Sequence, residues 1–229
     1  MTYHFYGWQT ANVAPHDEVF FDFKNPCALY DKLRKIWSEE TCAPRLRAKW
    51  SEKNPTLGQC SITAFLVQDI FGGIVRGIRR PDGNFHCYND VGDCVFDLTS
   101  EQFGDEKLDY SDDNPEQFRD IHFSKEEKYE RYRCLRNAAC CYFFLISNQF
   151  RVGYGRKIID DQLTFFAFHG FPDRNSDYFT NVQISRDEFL SLHKTYPKEI
   201  IMNASDADAF KRKYIDGHRV LLEGTDRQL

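Results

Sequence analysis

A cysteine stands at the start of a predicted helix in the stretch LGQCSITAFLVQDIFGG, which runs over residues 57–73. The thiolate is the nucleophilic form of cysteine, and the unpaired N–H groups and dipole of a helix N-terminus favour negative charge. This position therefore favours ionisation of the Cys60 thiol. The backbone N–H of Cys60 can also hold a developing oxyanion, and Gly58 is expected to let a substrate approach the backbone closely.

The stretch FHCYNDVGDCVFDLT offers a base and a carboxylate on two adjoining strands. A two-residue hairpin loop at residues 91–92 would place His86 directly opposite Asp97 on one face, with Cβ atoms about 4.5–5.5 Å apart. A four-residue loop at 90–93 gives the same register, whereas a loop of odd length would put the two side chains on opposite faces. A carboxylate so placed holds an imidazole in one tautomer and stabilises the imidazolium. The pattern predicts a catalytic triad of these two residues with Cys60.

Apolar spacing predicts the elements that must position these residues. One helix begins at Pro26 and a second runs from about Gly58 to Phe71, and three strands follow, GIVRGIR, NFHCYND and DCVFDLT. The loop between the last two strands should leave Asp90 and Asp93 solvated at the hairpin tip. After an acidic loop, SKEEKYERYRCLRNA predicts a further helix. The fold class expected is α+β, with the nucleophile helix packed on an antiparallel sheet.

The pattern of apolar and polar residues changes after about residue 140. CCYFFLI and QLTFFAFHGF predict buried strands, and SRDEFLSLHKTY and SDADAFKRKYIDG predict helices, each opened by a serine (Ser185, Ser205) with an acid three residues later. We expect a first domain over residues 1–138 and an α+β segment over 139–229. No Pro/Gly/Ser-rich linker separates them, so the two can also pack as one unit.

Composition narrows the classes of function. The net charge is −5 and no basic stripe is present, which argues against a nucleic-acid partner. No apolar run approaches the roughly 20 residues of a membrane span, and the start MTYHFYGWQT lacks the pattern of a signal peptide. The eight cysteines lie in a chain too long and too evenly hydrophobic for a disulfide scaffold. These features predict a cytoplasmic protein with reduced thiols.

A zinc site is the competing explanation for the cysteines and the histidine. The possible ligands are Cys60, His86, Cys87 and Cys94. None of them forms a closely spaced Cys pair, and strand alternation puts Cys87 on the face opposite His86. We therefore expect no metal and no cofactor.

The joint set of motifs resembles the YunG-like family of small bacterial proteins. NPTLGQCSITAFLVQDIFGG, then His-x-Tyr-Asn, then DLTSEQF carry the resemblance, over about residues 28–138. The chain order Cys, His, Asp also resembles the papain-like and transglutaminase-like superfold. The resemblance implies a compact cysteine-nucleophile domain with Cys60, His86 and Asp97 as its triad, and it names no substrate. Tyr88 stands where the family pattern has Trp.

Four further side chains are candidates for supporting roles. The amide of Gln59 can donate to an oxyanion, and a solvent-facing residue at the helix start is an equally good interpretation. Asn54 lies six residues before the cysteine, where papain-like enzymes carry an oxyanion-hole Gln. Asn89 falls on the face opposite the histidine and is a weaker third member of the triad. Tyr88 is expected to wall a cleft or to join the core.

These features predict a cysteine-dependent acyl-transfer enzyme that acts on an amide or ester bond of a peptide, protein or small amide. Peptidase, amidase, deamidase and transglutaminase-like reactions all use the same residues. The alternative is a non-catalytic binding module that keeps the fold and recognises a partner through the aromatic C-terminal half. A modifying enzyme of toxin or effector type, with the C-terminal segment recognising a protein target, is a third possibility. The sequence does not indicate an oligomeric state.

Overall fold

The computed structural model of this protein describes residues 3–170 and 180–216. The chain divides into two compact units, Met1–Ala139 and Cys140–Leu229. Each unit contains helices and one antiparallel sheet, which confirms the α+β class. Position 171 of the predicted strand QLTFFAFHGF and position 217 of the last predicted helix lie outside the described residues. Within the described ranges, no helix is long and apolar enough to cross a membrane.

The first unit carries a three-stranded sheet and four α-helices. Its strands are paired in the order β1-β2-β3. In chain order the elements are α1 (Pro26–Leu33), α2 (Cys60–Phe71), β1 (Ile74–Arg79), β2 (Phe85–Val91), β3 (Cys94–Phe96), α3 (Arg119–Phe123) and α4 (Glu126–Cys140). Short 3₁₀ segments lie at Glu18–Phe20, Pro44–Lys49 and Ser100–Phe103.

Helix α2 forms the centre of the first unit. It begins at Cys60 and not at Gly58, because Gly58 has a φ of +71° that a right-handed helix does not allow. It ends at Phe71, because the next residue, Gly72, has a φ of +76° that a right-handed helix does not allow. The apolar side chains along it are fully buried: Ile62, Phe65, Leu66, Val67 and Ile70. The side-chain amide of Asn89 donates to the Ala64 carbonyl at 2.8 Å and ties β2 to this helix.

The β2–β3 hairpin turns one residue later than the sequence pattern predicts. Val91 pairs with Cys94, so the two loop residues are Gly92 and Asp93. Gly92 has a φ of +60°, the conformation that the first loop position of a type II′ turn requires. Val91 stays in the strand, with its side chain buried. Because the turn lies one residue later, each residue of β2 faces a position two residues further along the chain than predicted. A change of two positions keeps His86 and Asp97 on the same face of the sheet, as predicted.

The two aspartates predicted at the hairpin tip, Asp90 and Asp93, differ in their exposure to solvent. Asp93 is exposed at the tip, as predicted. Asp90 belongs to β2 and forms an ion pair with Arg76 at 2.8 Å, with both side chains 19% exposed. The prediction of a solvated Asp90 is therefore wrong, because the later turn draws it into the strand.

The second unit is built on a four-stranded sheet in the order β4-β5-β6-β7. Its elements are β4 (Tyr142–Ser147), β5 (Val152–Ile159), β6 (Gln162–His169), β7 (Thr180–Ile184), α5 (Arg186–Thr195) and α6 (Ala204–Lys211), followed by a π-helical turn, Arg212–Asp216. The sequence pattern predicts β4 and β6 but misses β5 and β7. In β5, the positions of Gly153 and Gly155 are covered by the rings of Phe168 and Phe166, so its apolar surface comes from neighbouring strands.

Helices α5 and α6 of the second unit each begin at a capping box formed by two polar side chains. Ser185 and Glu188 form the predicted capping box at the start of α5. The predicted start of α6 at Ser205 is wrong: Asn203 and Asp206 form the capping box there. Asparagine is as good an N-cap as serine, so two overlapping cap patterns compete and the earlier one forms.

Candidate active site

The carboxylate of Asp97 is the most completely hydrogen-bonded group of the first unit's site. Its Oδ2 accepts from His86 Nε2 at 2.5 Å and from the Tyr110 hydroxyl at 2.8 Å. Its Oδ1 accepts from the backbone N–H and the hydroxyl of Thr99, both at 2.9 Å. Burial raises the pKa of Asp97, but the charge and hydrogen bond of His86, with the other donors, outweigh it and hold this pKa below its ordinary value. Asp97 is therefore a buried, fixed negative charge.

The imidazole of His86 lies in β2 with its side chain 2% exposed. Burial lowers the pKa of His86, but the charge and hydrogen bond of Asp97, assisted by Cys60, raise it to about 10. The ring is therefore an imidazolium at neutral pH. Its second nitrogen, Nδ1, is buried and makes no hydrogen bond within the described part of the chain. Since Nε2 is bonded to Asp97, Nδ1 is the nitrogen left for the thiol of Cys60.

Cys60 is the first residue of α2, and its side chain is partly exposed. A hydrogen bond from the Cys87 thiol lowers the pKa of Cys60. The interaction with His86 and a backbone hydrogen bond from Cys87 lower it further, against the opposing effect of burial. The net result is a pKa well below the ordinary value of the thiol. The directions of these two pKa shifts favour a thiolate at Cys60 and an imidazolium at His86.

Cys87 is a neighbour of the nucleophile that sequence reasoning missed. Strand alternation does put its side chain on the face opposite His86, the face that also carries Asn89 and packs against α2. Because Cys60 lies at the end of the helix, its sulfur reaches both consecutive residues of β2. The hydrogen bond to Cys60, followed by burial, raises the pKa of Cys87 well above its ordinary value. This direction favours a protonated Cys87 thiol that donates to the sulfur of Cys60.

The turn before the nucleophile is held by packing rather than open to a substrate. A Cβ on Gly58 would lie 2.7 Å from the Cys42 sulfur and 3.0 Å from the Ala43 nitrogen. The Gly58 carbonyl accepts from the Ala43 N–H at 3.0 Å, and its own N–H donates to Gln102 Oε1 at 3.4 Å. The expected close approach at Gly58 is therefore to the protein's own chain.

The two oxyanion candidates have different surroundings. Gln59 is fully buried, so the solvent-facing interpretation is wrong. Its Nε2 donates to the Ser38 carbonyl at 3.0 Å, while its Oε1 is buried without a partner in the described ranges. Asn54 closes a turn with Ser51 and accepts from the Thr56 hydroxyl at 3.3 Å. Donation to an oxyanion by either side chain stays a prediction.

Tyr88 and Asn89 lie on opposite faces of β2. Tyr88 is buried on the face of His86, and its hydroxyl donates to the Ser111 carbonyl at 3.0 Å. Its ring contacts the edge of Tyr110 at a centroid distance of 5.0 Å, so it positions the tyrosine that bonds Asp97. The side chain of Asn89 bonds to helix α2 as described above, and within the described ranges it forms no hydrogen bond with His86 or Asp97.

Two aromatic residues of this site gave no clear signal in the sequence. Tyr110 comes from the acidic loop that precedes the predicted helix SKEEKYERYRCLRNA, and its ring stacks on Tyr6 at 3.7 Å between centroids. Phe103 meets the His86 ring edge-on at 4.6 Å. The motif DLTSEQF contains Asp97, Thr99, Gln102 and Phe103, so the resemblance could have marked Phe103. Tyr110 lies beyond the motif.

No group of three or more His, Cys, Asp or Glu side chains in the described ranges is arranged to hold a metal ion. Of the four zinc ligands considered, Cys94 instead contacts the Thr10 carbonyl at 2.9 Å. A surface depression of about 560 Å³ lies beside Tyr6 and Tyr110 and is lined by acidic residues such as Glu101 and Glu106. Cys60 and His86 do not line it.

Comparison with known proteins covers the unit that holds this site. Residues 25–141 match the model of a family described as YunG protein. A protein of Bacillus subtilis (strain 168), named "Uncharacterized protein YunG", is 35% identical over 111 residues, which span 46% of this chain and 84% of that protein. No solved structure matches the chain. The motifs around Cys60, His86 and Asp97 lie within the matched residues, and the chain belongs to the YunG family.

Proposed function

We propose that this protein is a cysteine-dependent acyl-transfer enzyme with Cys60 as nucleophile, His86 as acid–base and Asp97 as the residue that orients the imidazole. The observation that carries this proposal is the 2.5 Å contact between His86 Nε2 and Asp97 beside a cysteine at a helix N-terminus. A buried ion pair of this kind is costly to maintain and is common where a nucleophile must be activated.

The reaction begins from the ion pair. The Cys60 thiolate attacks the carbonyl carbon of an amide or ester, and the electron pair of the C=O bond moves to oxygen as an oxyanion. The Cys60 N–H and a second donor hold that oxyanion. When the tetrahedral intermediate collapses, His86 Nδ1 gives its proton to the leaving amine or alcohol. Water or another amine then attacks the thioester, loses its proton to His86, and releases the acyl product with the thiolate restored.

The proposed substrate is a peptide, a protein or a small amide. Hydrolysis and transfer to an amine differ only in the group that resolves the thioester, so the proposal covers both. The packing of α2 on β2, with the histidine on β2 and the aspartate directly after β3, supports a papain-like or transglutaminase-like arrangement of the first unit. All eight cysteines are free thiols in the structure, which supports a cytoplasmic location.

A non-catalytic binding module is the second candidate. The observation that favours it is the depression of about 560 Å³ beside Tyr6 and Tyr110, because neither Cys60 nor His86 lines this cavity. Such a module would bind its partner there and would use the ion pair for structure alone. The two candidates differ in whether Cys60 forms a thioester.

An activated ester tests the proposal directly. p-Nitrophenyl acetate is mixed with the wild-type chain, release of nitrophenolate is followed, and the acetylated cysteine is identified by mass spectrometry. The expected result is rapid acetylation of Cys60, absent in Cys60→Ala and slowed by about 100-fold or more in His86→Ala. The matched control is His16→Ala, which removes a histidine bonded to the Ile70 carbonyl. Acetylation of Cys60 no faster than that of the other seven cysteines, or independent of His86, would favour the binding module.

A further inference from the structure

A lysine outside the proposed triad interacts with the charge of the nucleophile. Lys128, in the first turn of α4, is partly buried, and its Nζ lies 3.2 Å from Nδ1 of His122. It is near enough to Cys60 and Cys87 for charge on either sulfur to act on its ammonium. In the part of the chain that the structure describes, no ion pair between Lys128 and a carboxylate is formed.

The partner of Lys128 is a neutral group. An ammonium can only donate, so Nδ1 of His122 must accept, and the ring proton stays on Nε2. Nε2 then donates to Oε1 of Gln117 at 3.1 Å. Burial, and then the charge of Lys128, lower the pKa of His122 to about 4, which agrees with a neutral ring. His122 therefore positions the ammonium without compensating its charge.

The same chain of hydrogen bonds fixes the lysine to the sheet. The Gln117 N–H donates to the Val75 carbonyl at 2.7 Å, and the Gln117 amide covers Gly77, where a Cβ would meet it at 2.6 Å. Gly77 pairs with Cys87 in the β1–β2 ladder, so this amide lies over the face of the sheet that carries Cys87. The hydrogen-bond chain that starts at Lys128 therefore ends on the face of the sheet that carries Cys87, opposite the face of His86.

The charge balance of the site changes during the proposed reaction. Before acylation, Asp97 balances His86, and the Cys60 thiolate is the negative group near Lys128. A thioester is neutral, so acylation removes the anion next to Lys128. His86 has by then given its proton to the leaving group, and the carboxylate of Asp97 lies beside that neutral imidazole and, in the described ranges, forms no ion pair with the ammonium. An uncompensated charge removed from water is costly unless an anion accompanies it.

We propose that Lys128, positioned by His122, binds a carboxylate of the substrate close to the carbonyl that Cys60 attacks. This inference rests on the proposed function and narrows its substrate class to acidic amides and esters. The carboxylate approaches the ammonium as the acyl group approaches the sulfur, and it replaces the thiolate as the neighbouring anion once the thioester has formed.

Alkylating reagents that differ only in a carboxylate test this inference without a known substrate. The first pair is iodoacetate and iodoacetamide, and the second pair, bromoacetylglycine and its amide, carries the charge one peptide unit further from the reactive carbon. The rate at Cys60 is measured for each reagent by mass spectrometry, and the thiolate content by ultraviolet absorbance. The variants are Lys128→Gln, which removes the charge, and Lys128→Arg, which keeps it. Lys125→Gln is the matched control, since Lys125 is an exposed lysine three residues earlier.

We expect the ratio of the acid rate to the amide rate to fall by about fivefold or more in Lys128→Gln for at least one reagent pair. The ratio should be kept in Lys128→Arg and in Lys125→Gln. The inference would be overturned if Lys128→Gln left the ratio unchanged for both pairs, or slowed the acid and the amide equally. Lys128 would then act only on the charge of the Cys60 sulfur and not on a substrate carboxylate. A Cys60 that none of the four reagents alkylates faster than other cysteines would instead remove the proposed function itself.

Discussion

The imidazole of His86 and the carboxylate of Asp97 meet at 2.5 Å although the two residues are not partners across the strand pair. The observed register, with Val91 opposite Cys94, places Asp97 two positions away from the residue that would face His86. Positions two apart lie on the same face of a sheet, and a diagonal pair is within reach of an imidazole. The contact also needs Asp97 just beyond the end of β3, where the Tyr6 carbonyl accepts its N–H at 3.0 Å.

Replacing Asp97 should uncouple the nucleophile from its base. Asp97→Asn removes the charge that stabilises the imidazolium, so the pKa of His86 falls and that of Cys60 rises. We expect the alkylation rate of Cys60 by iodoacetamide in mildly acidic buffer to fall by about tenfold or more. Asp93→Asn, at the exposed hairpin tip, is the control and should leave the rate unchanged. An unchanged rate in Asp97→Asn would mean that Cys60 is ionised without the histidine.

The lowered pKa of Cys60 should be visible in stability against pH. The unfolded thiol holds its proton up to about its ordinary pKa of 9.0, while the folded thiol has lost it at a much lower pH. The unfolded state therefore binds more protons in this window, and the stabilisation by Cys60 is full above 9.0 and is lost as pH falls through the folded pKa. The difference in unfolding free energy between wild type and Cys60→Ser should grow with rising pH, by as much as about 1.4 kcal/mol per unit.

Urea unfolding at several pH values measures that difference. Cys134→Ser is the control, because burial raises the pKa of Cys134 and its folded and unfolded thiols are both protonated below about 9.0. Its difference from wild type should stay level over the same range. A level difference for Cys60→Ser as well would show that the folded Cys60 thiol keeps its proton.

The hydrogen bond from Tyr110 should contribute more stability than a similar bond elsewhere in the first unit. Tyr110 and Tyr3 each donate to an aspartate at 2.8 Å, but the carboxylate of Asp97 is fully buried while that of Asp31 is half-buried. Losing a donor to a buried charge costs more because water cannot replace it. We expect Tyr110→Phe to lower the free energy of unfolding by about 2 kcal/mol and Tyr3→Phe by less than about 1 kcal/mol. Equal losses in urea unfolding would contradict this ranking.

Gly58 should tolerate no side chain. Its φ of +71° already disfavours an L-residue, and an alanine Cβ would clash with Cys42 and Ala43. Gly83 has a similar φ of +80° but open space around it, so Gly83→Ala isolates the cost of the backbone conformation. We expect losses of unfolding free energy of about 1 kcal/mol for Gly83→Ala and about 2–4 kcal/mol for Gly58→Ala. If the two losses are equal, the turn before the nucleophile can relax away from Cys42.

Local sequence pattern by itself determined the central helix and the shared face of two site residues. Helical spacing after Cys60 and the glycine pair that follows it identify α2, because an apolar run of that length and period buries itself as a helix. Alternation along β2 and β3 put His86 and Asp97 on one face, and this survives a two-residue change of register because the period is two. The motifs GQC and DLTSEQF indicated the family, which the comparisons show.

Tertiary structure alone decided which distant side chains complete the site. Tyr110 reaches Asp97 only because its loop folds back onto Tyr6, and no local period records such a contact. Cys87 reaches Cys60 because the helix end lies over the strand, which strand alternation by itself does not reveal. Strand β5 was missed for the same reason, since its glycines are covered by rings from β6. Periodicity reports which face is buried, whereas the identity of the neighbour depends on how separate segments meet in space.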